Sequence, residues 1–149
     1  MLFAEVGSTL YKLLFLGHMI SFLVAFAPAV IAPVITARAK KDGDEVLGKV
    51  AGYLALNGKQ IHLPALVLLG VFGMGMVFEG GWGFGSTWVS LAFLCWLAIG
   101  GVVSAVIMPA ERALGAGDLA AEKKVAMGGQ ITTVLLVIVL CLMIWKPGA

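Results

Sequence analysis

The sequence predicts an all-α integral membrane bundle of four helices, running up and down with both termini on the outer, periplasmic side. Three observations predict it. Four apolar runs, roughly Leu13 to Ile35, Leu63 to Phe78, Val89 to Met108 and Ile131 to Trp145, contain no Asp, Glu, Lys or Arg. About 20 apolar residues of helix cross the hydrocarbon layer, where each backbone N–H and C=O must bond within its own segment. Charged residues make up 12% of the chain, about half the share usual for a soluble domain. Lys and Arg are also unevenly placed. Arg38, Lys40, Lys41, Lys49 and Lys59 follow the first run, and Arg112, Lys123 and Lys124 follow the third. Positive loops stay cytoplasmic, so both of these connections are placed inside.

The first span is read as residues 10–36. Lys12 ahead of an apolar run, with Ala25-Phe-Ala27 as a small-residue pattern, imitates a signal peptide. Pro28 would directly follow the cut, which argues for a retained span. Pro28 and Pro33 should bend its inner half. In the next connection, Asp44 can cap an amphipathic helix over 45–57 with Val46, Leu47, Val50, Tyr53, Leu54 and Leu56 on one face. That helix either lies at the inner interface or runs on through Asn57-Gly58 into span two, residues 61–78.

A short glycine-rich loop, Glu79 to Trp88, then joins span two to span three, residues 87–109. Asp118 caps a further helix that leads through Gly128-Gly129 into span four, residues 129–145. Tyr11, Trp82, Trp88 and Trp145 fall where rings settle at headgroup depth on the outer side, and Arg38, Lys40, Lys41 and Arg112 anchor the inner side. The sequence carries no evident tandem repeat of 20 to 50 residues.

Lipid tails are as apolar as leucine, so helices in a bilayer associate by close approach at small residues. The contact faces expected on this ground are Ala25 and Ala29 of span one, Gly70, Gly73 and Gly75 of span two, and Gly100, Gly101 and Ser104 of span three. Span four is aliphatic and suits lipid or a partner subunit.

Chemistry-bearing residues are few. His18 lies about eight residues inside span one, a depth at which ionisable groups face a protein interior. It is either a histidine bonded to a neighbouring carbonyl, hydroxyl or headgroup, an axial ligand of haem or another tetrapyrrole, or a proton relay. His62 is expected to anchor the inner edge of span two, while His18 lies in the outer half of span one, roughly 27 Å of helix from Thr36, which disfavours one haem joining the two. Glu111 and Arg112 are expected to anchor the inner end of span three, as a pair. No carboxylate is expected in mid-membrane, which argues against an ion-coupled transporter. Cys95 and Cys141 both lie in spans, without the spacing of a zinc site. No nucleotide, hydrolase or metalloprotease motif occurs, and a net charge of +2 is too small to argue for nucleic acid.

Several segments resemble a bacterial family of small four-span membrane proteins of unknown function: Leu16-Gly-His18, Leu63-Pro64-Ala65, a loop ending in Trp88, Val106-Ile-Met-Pro109-Ala-Glu-Arg112, and Met143-Ile-Trp-Lys146-Pro147-Gly148. The layout is also distantly similar to the copper-resistance membrane domain and to a haem-binding protoporphyrinogen oxidase. That oxidase pairs its first-span histidine with an intramembrane lysine; no span here has one, so its activity is not carried over. The resemblance implies the bacterial inner membrane. Three function classes follow. The chain is a non-catalytic accessory or structural subunit beside a larger membrane complex, or in a homo-oligomer, with no cofactor. Alternatively it binds haem or another tetrapyrrole through His18, or it transports a small molecule or metal.

Overall fold

A computed structural model describes residues 7–148, and all its regular elements are helical. Four helices are long and apolar enough to cross a bilayer: α1 (Thr9–Asp42), α2 (Asp44–Glu79), α3 (Thr87–Gly115) and α4 (Leu119–Trp145). This is the build of a multi-pass membrane protein. In the most apolar stretches of α1 and α4 only 11% of residues are buried. Leu13, Leu23, Val30, Val134 and Ile144 all present bare side chains, a surface that only lipid or another apolar body can cover.

The ends of α1 are set by local chemistry. Ser8 Oγ accepts the N–H of Tyr11 at 3.0 Å, a standard N-cap, and Gly43 at φ 117° makes the turn into α2. The residues read as an amphipathic helix over 45–57 do not form a separate element. They are the first half of α2, which continues through a π-turn at Gly58–His62. α3 has a second π-turn at Val103–Ile107. Each π-turn ends one residue before the residue that precedes a proline: Leu63 N–H bonds back to Gly58 and Met108 N–H to Val103, ahead of Pro64 and Pro109. A proline has no N–H and crowds the carbonyl four residues back, so widening the preceding turn lets the helix pass without breaking. Wide turns of this kind recur at functional sites.

α1 packs most extensively on the second half of α2, α3 on α4, and the first half of α2 on the last turns of α3. One end of the bundle gathers rings: Tyr11 meets Trp82 edge-on at 6.2 Å, and Trp82 meets Trp88 at 5.3 Å. We call it the aromatic end. Ser8 Oγ donates to Glu79 there at 2.8 Å, joining the start of α1 to the end of α2. At the opposite, basic end, Lys40 bridges α1 to Glu122 of α4 at 2.8 Å, over a small core of Ala39, Leu47, Ala51, Ala110, Leu114 and Ala121.

The small residues have distinct surroundings. A side chain at Gly70 would collide with the Trp96 indole, one at Gly73 would meet His18 at 3.1 Å, and one at Gly75 would meet Leu14 at 2.9 Å. Gly100 lies near Leu66, while Gly101 faces open space. Ser104 Oγ donates within its own helix to the Gly100 carbonyl at 2.7 Å. Ala25 packs against the cluster of Phe26, Leu66, Leu69 and Ile99, and Ala29 is half-buried. Backbone meets backbone between helices elsewhere: a side chain at Gly115 of α3 would meet the Gly52 backbone of α2 at 3.2 Å.

Candidate functional site

Among the described residues the bundle holds a cavity towards each end, each partly open to the outside. The first, about 330 Å³, lies towards the aromatic end and is walled by rings that include Phe22, Phe93 and Trp96, with Lys146 at its rim. His18 borders it and is 9% exposed. Its Nδ1–H donates to the Leu69 carbonyl oxygen of α2 at 3.0 Å. A carbonyl only accepts, so the proton resides on Nδ1, and Nε2 of the neutral ring keeps its lone pair. Nε2 has no hydrogen-bond partner among the described residues. Gly73 allows the imidazole to approach α2 closely, since a Cβ there would come within 3.1 Å of the ring.

The tryptophans of this region differ from one another. Trp96 Nε1–H donates to the Leu66 carbonyl at 2.9 Å. Trp145 is exposed and Trp82 half-buried. Trp88 instead sits inside the bundle, 6% exposed, and its Nε1–H is buried without an acceptor among the described residues. The ammonium of Lys146 stands 4.5 Å from the Trp82 ring centre and 5.5 Å from that of Trp88.

The second cavity, about 910 Å³, lies towards the basic end and touches all four helices, including both π-turns. Both volumes fall in or near the range of small-molecule sites, about 300–1,000 Å³. His62, Glu111 and Thr132 border it among mostly apolar side chains. Here the sequence reading needs correction. Glu111 is 7% exposed and turns into the cavity, whereas Arg112 next to it is exposed; no ion pair joins them. Helical geometry accounts for this, since neighbours in a helix point about 100° apart and cannot face each other. Arg38, Lys40 and Lys41 are also exposed at this end.

His62 is a second correction. Its Nδ1–H donates to the Val24 carbonyl at 2.7 Å, so it stands near Val24 in depth, roughly 9 Å of helix from His18. The two histidines nevertheless border different cavities. Among the described residues no group of three His, Cys, Asp or Glu side chains could hold a metal ion together. Searches against family models, curated proteins and solved structures returned no match.

Proposed function

We propose that this chain is a tetrapyrrole-binding protein of the bacterial inner membrane, in which His18 would hold haem or a related macrocycle at the aromatic cavity through its Nε2. The observation that supports this reading is the bond from His18 Nδ1–H to the Leu69 carbonyl. Metal-ligating histidines commonly donate their other N–H to a carbonyl or carboxylate, which fixes the tautomer and the ring plane. Aromatic walls suit one edge of a flat conjugated ring, which a cavity of about 330 Å³ would take only in part, and Lys146 in the lining suits its carboxylates. A bound haem would supply redox or gas-binding chemistry. The protein's own part is to orient His18, exclude water and hold the macrocycle edge. In this reading the helices run up and down, and the basic end faces the cytoplasm by the distribution of Lys and Arg.

The accessory-subunit reading draws on the aliphatic exposed face of α4, with Val134, Val137, Ile138 and Ile144. Lipid covers such a face equally well. The absorption spectrum of the purified chain, as isolated and after haem addition, separates the two. Ligation predicts a Soret band at one equivalent per chain that shifts or disappears in His18→Ala. Protein that stays colourless with added haem, and co-purifies with a larger complex, would instead support the accessory subunit.

A further inference from the structure

We propose that the cavity at the basic end is a binding site for a lipophilic organic monocation, such as a protonated amphiphilic amine, with Glu111 as its counter-ion. The proposal rests on Glu111 and stands apart from the His18 reading. A carboxylate taken out of water is costly unless a cation or several hydrogen bonds compensate it. Glu111 is 7% exposed as a residue, its carboxylate oxygens keep access to a cavity of about 910 Å³, and they have neither a hydrogen bond nor an ion pair among the described residues.

The other charged and titratable groups on that cavity do not compensate it. Lys40 is held by both carboxylate oxygens of Glu122, at 2.8 and 2.9 Å. Lys41 is exposed at the end of α1. His62 directs its Nδ1–H to the Val24 carbonyl. Glu111 thus offers the cavity an acceptor that no cation of the lining engages, and a positive charge on a ligand would complement it. The Thr132 hydroxyl, also buried without a partner among the described residues, is a neutral donor. The remaining lining specifies the body of the ligand. Phe26, Leu66, Ile99 and Val103 make the deep part apolar, so the occupant is greasy as well as cationic.

The packing leaves room for lateral entry between α1 and α4: the two helices are in limited contact, a Cβ at Gly129 would meet nothing, and the Lys40–Glu122 bridge joins them at the basic end. A cation dissolved in the membrane would enter sideways, through lipid. The two π-turns border the same space, so the widened backbone and the lone carboxylate occur at one place.

The experiment is equilibrium binding of radiolabelled tetraphenylphosphonium to the purified full chain in a non-ionic detergent. The wild type should bind about one equivalent saturably. Glu111→Gln should weaken binding by at least about tenfold, and Glu111→Asp, which keeps the charge, should recover most of it. Circular dichroism and gel filtration identify any variant that fails to fold; only folded variants are compared. The proposal is overturned if the folded wild type shows no saturable binding. It is equally overturned if Glu111→Gln binds as the wild type does, or if Glu111→Asp is no better than Glu111→Gln. Displacement of the probe by an anionic amphiphile such as laurate, but not by a lipophilic amine, would also overturn it.

Discussion

His62 donates its Nδ1–H to the carbonyl oxygen of Val24 across 2.7 Å, and Val24 stands four residues before Pro28. In an α-helix that carbonyl takes the N–H of the residue four ahead, and a proline there has none to give. A side chain from α2 thus completes the backbone of α1 inside the bundle. His62→Ala leaves the carbonyl unpaired and should cost about 0.5–1.5 kcal/mol. In the double variant Pro28→Ala/His62→Ala the restored N–H can bond Val24 within α1, so most of that loss should return. Unfolding in SDS, read as a double-mutant cycle, checks this, and additive single and double effects would refute it.

The same pair shows what the sequence reading could reach. Four apolar helices were legible because span length and charge depletion are properties of single segments. The depth of His62 was not, because it depends on α2 running unbroken through Gly58–His62, and a π-turn has no simple pattern in hydropathy. Glu111 was placed correctly along the helix and wrongly around it. Its burial is decided by which face of α3 meets the other three helices, and a short polar stretch such as Glu111-Arg112 does not reveal that. His18 was found because a histidine deep in an apolar run is conspicuous. Its carbonyl partner on α2 comes from pairing that no single segment encodes.

Gly70 and Gly101 offer a contrast between a filled and an open approach. A methyl at Gly70 lands on the Trp96 indole, whose N–H is fixed to the Leu66 carbonyl, so the ring cannot simply turn away. Gly70→Ala should therefore cost about 1–3 kcal/mol, the range of an overpacked core. At Gly101 there is open space, so Gly101→Ala should be neutral or slightly stabilising, helped by the better helix propensity of alanine. Thermal midpoints in one detergent decide it. Equal losses at the two positions would show that close approach to Trp96 is not what Gly70 provides.

Gly115 provides a test of the junction between α2 and α3. A methyl there meets the Gly52 backbone at 3.2 Å, and a main chain cannot rotate aside as a side chain can. Gly115→Ala should separate the first half of α2 from the end of α3 and leave the aromatic end intact. Hydrogen exchange read by mass spectrometry should then show faster exchange within Asp44–Asn57, with Leu63–Glu79 unchanged. Uniform acceleration along both segments would mean that α2 behaves as one rigid body across its π-turn.

Lys146 allows the tetrapyrrole reading to be tested at its rim, away from His18. It closes α4 in the left-handed conformation, φ 42°, and its ammonium lies over the Trp82 ring at 4.5 Å. Exposed contacts of this kind are worth about 0.5–1 kcal/mol, so Lys146→Met, which keeps the length and removes the charge, should lower stability by no more than that. Haem carries carboxylates that a rim cation can hold, and that contribution should be lost in the variant. Soret titration should show haem affinity falling by about tenfold, equivalent to roughly 1.4 kcal/mol. A haem whose carboxylates are esterified has no charge to offer Lys146 and should bind the variant and the wild type alike. If the free acid and the ester lose affinity equally, Lys146 acts on the shape of the cavity and not on ligand charge.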